Sequence, residues 1–215
     1  MYKAVIFDLD GTLLNTLDDL AASVNFALKD CGYPERTVKE VRDFIGNGVI
    51  KLMQRATPDG IGQQEFDCCF ESFRTHYLKH MFDTTKPYDG ILPLLDALKA
   101  DGIKTSVVSN KLHSGVVGLC KDFFGDRLTC AFGVLNESER KPAPKNVLKA
   151  MREMNVEPAD CVYVGDSEVD VQTANNAGLD CIAVTWGYRD PDVLKRNSPK
   201  YIIDKPEEIL EIVKC

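Results

Sequence analysis

The alternation of apolar and polar positions changes character as the chain proceeds. Residues 3–8 read KAVIFD, apolar at every position from Ala4 to Phe7, the pattern of a strand covered on both faces. From there to residue 82 no run reads convincingly as a strand. Leu17, Leu20, Ala21, Val24 and Leu28 recur at helical spacing behind Thr16-Leu17-Asp18-Asp19, which resembles a capping box. Thr37 and Glu40 open a second helix that stops at Gly46-Asn47-Gly48. VIKLMQRA supplies a third, and Phe66, Phe70, Phe73, Tyr77 and Met81 stripe a fourth.

From residue 83 the rhythm alternates. The apolar runs IKTSVVSN, CAFGVL, CVYVGD, CIAVTW and YIID are interspersed with the helical patterns ILPLLDALKADG, SGVVGLCKDFFG, PKNVLKAMREMN and EVDVQTANNAG, and PEEILEIV closes the chain. Strands apolar throughout, set between helices, predict an α/β fold: a doubly wound parallel sheet with helices on both faces. Residues 1–14 and 83–215 are expected to form that core and residues 15–82 an inserted helical subdomain, with hinges at 13–16 and 82–89.

In such a sheet, ligands bind beyond the carboxyl ends of the strands, near the point where strand order reverses. Those ends carry Asp8 and Asp10, then Ser109 and Asn110, then Asp166; Lys141 follows CAFGVL by a short polar loop. Residues i and i+2 leave a strand on one side, which puts Asp8 and Asp10 together, and Gly11 permits a sharp turn beside them. Carboxylates gathered at one point resist ionising together unless a divalent cation sits among them, and oxygen-only ligation favours Mg²⁺. A lysine with a Ser/Asn pair would supply donors for phosphoryl oxygens. The set implies phosphoryl transfer.

Composition narrows the partners. Hydrophobic residues make up 44% of the 215 and charged residues 27%, ordinary for a globular protein. Lysine and arginine total 26 against 33 acids, a formal charge of −7, which argues against a nucleic-acid binder. No apolar run is long enough to span a bilayer and no secretory signal is recognisable, so a cytoplasmic protein without membrane partners is expected, a monomer or homodimer. Several of the eight cysteines, Cys161 and Cys181 among them, fall inside strand-like runs and read as reduced, packed thiols. Cys68 and Cys69 are adjacent, without C-x-x-C spacing. His76 and His80 stand at i, i+4, but with no third ligand nearby in sequence they read as an ordinary helical pair.

In order, D-x-D-G-T at 8–12, an apolar strand ending in Ser109, Lys141-Pro142 and G-D-x-x-x-D at 165–170 resemble the haloacid dehalogenase (HAD) superfamily over nearly the whole chain. That resemblance implies a Rossmann-like core and a Mg²⁺-dependent phosphatase acting through an aspartyl phosphate. It assigns the nucleophile to Asp8 and proton transfer to Asp10, with Lys141 completing the catalytic set. Mg²⁺ would rest on the carboxylate of Asp8, the carbonyl of Asp10 and the carboxylate of Asp166, with Asp170 behind them. Gly11, Thr12, Ser109, Asn110 and Lys141 would meet the substrate.

The insert is similar to the small helical cap of the phosphoglycolate phosphatase group, which makes 2-phosphoglycolate the expected substrate and Gly46, Asn47 and Gly48, near Arg42, Lys51 and Arg55, candidate contacts for it. Asn15 and Phe44 depart from the group's usual aspartate and tryptophan. Pyrophosphate, a sugar phosphate or a phosphomutase reaction are the alternatives; a dehalogenase would lack Asp10. A phospho-accepting receiver domain is the non-enzyme alternative, and the motif order fits it poorly. Each residue also has a plainer reading: a solvated strand end for Asp8 and Asp10, a surface lysine for Lys141, a helix N-cap for Ser109-Asn110, and a first-turn helix acid for Asp170.

Overall fold

The computed structural model of the chain describes residues 1–46 and 48–215. Strand β1 (Ala4–Phe7) opens the core and β2 (Leu14–Asn15) leaves it. Helices α1 (Leu17–Asp30), α2 (Val38–Phe44), α3 (Val49–Ala56) and α4 (Gln63–His80) follow, and β3 (Lys86–Pro87) returns to pair with β2. The chain then alternates through α5 (Ile91–Ala100), β4 (Lys104–Leu112), α6 (His113–Phe124), β5 (Cys130–Val134), α7 (Lys145–Met154), β6 (Cys161–Gly165), α8 (Glu168–Ala177) and β7 (Asp180–Val184). Helix α9 (Pro191–Arg196), β8 (Tyr201–Ile203) and α10 (Glu208–Lys214) complete it. Two compact units result: Met1–Leu14 with Pro87–Cys215, and Asn15–Lys86.

The larger unit is a six-stranded sheet of order β5-β4-β1-β6-β7-β8, parallel throughout. It is an α/β, Rossmann-like architecture. Strand order reverses at β1, whose neighbours are β4 and β6, so the three strand ends bearing Asp8, Ser109 and Asp166 are adjacent. Side-chain parity along β1 divides its residues between two cores. Val5, Phe7 and Leu9 join the cluster containing Leu94 and Leu95 of α5, Leu119 of α6 and Ile209 of α10. Ala4 and Ile6 face Val147 and Met151 of α7 and Val171 and Ala174 of α8. Asp8 and Asp10 continue the parity of Ala4 and Ile6 past the end of the strand.

The helical unit has its own core, in which Leu20, Val24 and Leu28 of α1 meet Met53 of α3 and Phe73 and Tyr77 of α4. Thr37 and Glu40 close a reciprocal capping box on α2. At α1 the expected box is absent. Thr16 is the N-cap residue but makes no side-chain capping bond. Asp19 instead accepts from the N–H groups of Thr84 and Thr85, each at 2.9 Å, and from the Thr84 hydroxyl. Those bonds fasten residues 84 and 85 to α1, and the crossing back to the core accordingly lies at Lys86–Pro87.

Candidate active site

The site is built at the carboxyl ends of β1, β4 and β6. Asp8, Asp166 and Asp170 each place one carboxylate oxygen so that all three lie within 4.8 Å of one another, and all three residues are buried. Lys141, also buried, pairs with two of them: its Nζ is 2.7 Å from Asp170 Oδ1 and 2.8 Å from Asp8 Oδ1. The contact with Asp8 is an ion pair out of line for hydrogen bonding, so Asp8 Oδ1 has no hydrogen-bond donor aligned on it. Burial, together with Asp170 and Asp166, pushes the Asp8 carboxyl well above the usual range despite Lys141. Asp166 is pushed up to about 7, by burial first and then by Asp170, against the pull of the Tyr188 N–H and Lys141. Lys141 is held well above its usual value: burial works against its charge, and Asp170 and Asp8 outweigh it.

Charge bookkeeping tests whether a divalent cation suits these residues. The rim gathers four acids, Asp8, Asp10, Asp166 and Asp170, against two lysines, Lys141 and Lys111. With all four ionised, two negative charges would be left unmatched in a largely buried, all-oxygen donor set, which fits a hard divalent cation such as Mg²⁺.

Asp170 serves two purposes at once. Its Oδ2 accepts from the Ser167 N–H and hydroxyl, closing a capping box at the start of α8, and its Oδ1 receives Lys141. The Tyr163 hydroxyl sits between them, 3.4 Å from Lys141 Nζ and 3.3 Å from Asp170 Oδ1. Thr12 is fully buried, its hydroxyl 3.4 Å from Asp166 Oδ1. At Gly11 (φ +84) a Cβ would lie 2.5 Å from Asp166 Oδ2, so this position must be glycine both for its turn and for the close approach of Asp166.

Ser109 and Asn110 do not cap a helix. Strand β4 runs on to Leu112, with its register to β5 shifting between Val108 and Leu112, and α6 begins at His113. The Asn110 side chain clamps the Lys141 backbone instead: Oδ1 accepts its N–H at 2.7 Å and Nδ2 donates to its carbonyl at 3.3 Å. The buried Ser109 hydroxyl accepts from the Lys111 N–H at 3.2 Å.

Two features have no counterpart among the residues singled out from sequence. Lys111, 8% exposed, donates to Asp10 Oδ1 at 2.9 Å. The segment after β7, Thr185-Trp186-Gly187-Tyr188-Arg189, packs on the first strand's turn. Trp186 Nε1 donates to the Thr12 carbonyl at 3.0 Å, and the Tyr188 N–H donates to Asp166 Oδ2 at 2.7 Å. A Cβ at Gly187 would overlap Asp166 and stand 2.5 Å from the Gly11 carbonyl. Both features occupy strand ends that the topology alone marks out.

The remaining candidates belong to the helical unit. The Gly46 carbonyl accepts from Arg55 Nη1 at 3.1 Å, Gly48 (φ +85) is the N-cap residue of α3, and Asn47 lies outside the described residues. His76 stacks on His80 with ring centroids 4.2 Å apart, its Nδ1 3.0 Å from the Ser23 hydroxyl. Among the described residues the only group of three or more metal-ligating side chains is Asp8, Asp166 and Asp170. No helix among them is long and apolar enough to cross a membrane.

Comparison with known proteins agrees with this geometry. Residues 5–184 match the family model described as haloacid dehalogenase-like hydrolase. Phosphoglycolate phosphatase from Aquifex aeolicus is 32% identical over 98% of this chain and 96% of its own. Phosphoglycolate phosphatase 1 from Pseudomonas aeruginosa is 33% identical over 97% of this chain and 78% of its own. A solved structure from Lactobacillus delbrueckii subsp. bulgaricus superposes with a TM-score of 0.93 at 34% identity, covering 99% of this chain and 98% of that one. The chain therefore belongs to the haloacid dehalogenase-like hydrolases, as a phosphoric monoester hydrolase of the phosphoglycolate phosphatase-like group.

Proposed function

We propose that the protein is a Mg²⁺-dependent phosphatase that hydrolyses a small phosphomonoester, 2-phosphoglycolate, through an aspartyl phosphate on Asp8. The observation that carries this reading is the crowding of Asp8, Asp166 and Asp170 within 4.8 Å around Lys141. Asp8, Asp166 and the Asp10 carbonyl would hold Mg²⁺, with Asp170 behind them, and the cation would offset the negative charge of the carboxylates and of a phosphoryl group.

Asp8 attacks phosphorus as its ester bond breaks, and Asp10 gives a proton to the departing oxygen. Asp10 then takes a proton from the water that attacks the aspartyl phosphate, which frees Asp8 and inorganic phosphate. Lys141 and the Ser109 hydroxyl, whose oxygen already accepts from Lys111, donate to the phosphoryl oxygens. Asn110 acts on the substrate through Lys141, by fixing its backbone. Thr12 and Gly11 serve by keeping Asp166 in place. The two curated relatives described above are both named for phosphoglycolate, which supports that substrate over pyrophosphate or a sugar phosphate.

Turnover of 2-phosphoglycolate with Mg²⁺ or with EDTA tests the reading, with Asp8→Asn and Asp10→Asn as the variants. Asp8→Asn is expected to lose activity by about 10⁴-fold or more while remaining folded. Hydrolysis near the wild-type rate by that variant would exclude the covalent route, and full activity in EDTA would exclude the cation.

A further inference from the structure

Lys111 is buried at the rim, and the reaction assigned above gives it no task. Its side chain is only 6% exposed and its Nζ is 2.9 Å from Asp10 Oδ1. Taking an ammonium group so far from water is costly unless it is paired, and Asp10 supplies the pair. Asp10 is also the acid that faces the leaving group. Lys141, the other lysine of the site, is committed to Asp8 and Asp170 on the phosphoryl side. The site thus has one cation for the phosphoryl group and a second fixed beside the acid that protonates what departs.

We propose that Lys111 is the receptor for a carboxylate on the leaving group and so selects phosphomonoesters whose ester oxygen lies one carbon from a carboxylate. This rests on the phosphatase reading and on Asp10 as its acid. In 2-phosphoglycolate a single methylene separates the ester oxygen from the carboxylate carbon. A donor to that oxygen and a cation for that carboxylate must therefore stand side by side, as Asp10 and Lys111 do. An ammonium group carries three N–H donors, so a contact with Asp10 is compatible with one to an incoming carboxylate. An uncharged leaving group would gain nothing from Lys111.

The competing role is purely positional, with Lys111 doing no more than orienting Asp10. Kinetics on two substrates separate the roles: 2-phosphoglycolate, and ethyl phosphate, which has the same two-carbon skeleton without the carboxylate. In Lys111→Met both substrates lose kcat through the weaker hold on Asp10. The ratio of their kcat/KM values is expected to fall a further 10- to 100-fold or so, mainly through KM for 2-phosphoglycolate, as for a lost charge-assisted hydrogen bond. Lys111→Arg should restore most of the preference. An unchanged ratio in folded Lys111→Met overturns the assignment and leaves the phosphatase reading intact. Should that variant not fold, Lys111→Gln, which keeps a donor but no charge, carries the same ratio test. A wild type that hydrolyses ethyl phosphate as well as 2-phosphoglycolate overturns the substrate reading and this inference together.

Discussion

Buried aspartates do opposite work in the two units of this protein. In the helical unit Asp19, 3% exposed, accepts four hydrogen bonds, all from neutral donors on Thr84 and Thr85. Its acceptor capacity is met without help from any cation, and its effect is to fasten one end of the unit's chain to the other. In the core unit Asp8, Asp166 and Asp170 are buried too, yet Asp8 and Asp170 share one lysine beside the third carboxylate, and Asp8 Oδ1 lacks an aligned donor. A buried acid with enough donors is a structural fastening. Acids that outnumber the cations paired with them hold a charge deficit open for something else, in the proposed reaction a cation and a phosphoryl group.

The largest break in that contrast should come from Lys141→Met. Removing the shared lysine leaves buried carboxylates uncompensated, which costs about 3–5 kcal/mol when one partner of a buried pair is deleted. Urea unfolding in EDTA would measure it, and adding Asp8→Asn to Lys141→Met should recover part of the loss because the two changes act on one network. A Lys141→Met protein as stable as wild type in EDTA would mean that the carboxylates are not crowded enough to need it.

Asp19→Ala should cost less, about 1.5–3 kcal/mol, since it strands two backbone N–H groups and a hydroxyl that had a charged acceptor. The comparison is sharpened by the cation. The Asp19→Ala loss should be the same in Mg²⁺ and in EDTA, whereas a ligand that binds only the folded rim stabilises the wild type by about 2.7 kcal/mol at a hundred times its Kd. If the Asp19→Ala loss depends on Mg²⁺, the division between fastening and site is wrong.

Most of the rim was legible in the sequence because period-two parity and strand-end placement are local rules. Val5, Phe7 and Leu9 turn one way while Asp8 and Asp10 turn the other, and the apolar runs end close to where the strands do. Lys111 escaped for a local reason too. The polar pair Ser109-Asn110 looked like a strand end, whereas β4 continues to Leu112 through a shift in register that brings Lys111 to Asp10. Other contacts depend on long-range placement. Nothing near Trp186 or Tyr188 reports that they will reach Thr12 and Asp166, and nothing near Asp19 reports Thr84. The six residues of α9 are too few to show a period. The bonds from Asn110 to the Lys141 backbone depend on the same long-range placement.

The smallest effect concerns an acid outside both clusters. Glu139 is 4% exposed, receives Lys149 at 2.8 Å and accepts the Leu135 N–H at 3.0 Å, and those donors hold its carboxyl down to about 2. A carboxyl lowered on folding adds stability that is present above its unfolded value and is lost as pH falls through its folded one. Glu139→Gln should therefore be less stable than wild type at pH 7, and the two urea midpoints should converge as pH is lowered from about 4.5 toward 2. Asp166 predicts the opposite slope in EDTA. Its carboxyl is raised to about 7, so folding favours the protonated form and stability is gained as pH falls through 7. Asp166→Asn should flatten the neutral part of the profile and leave the acid limb alone, while Glu139→Gln should do the reverse. If either variant alters both limbs, the two acids are coupled, and the rim is not the self-contained network its ion pairs describe.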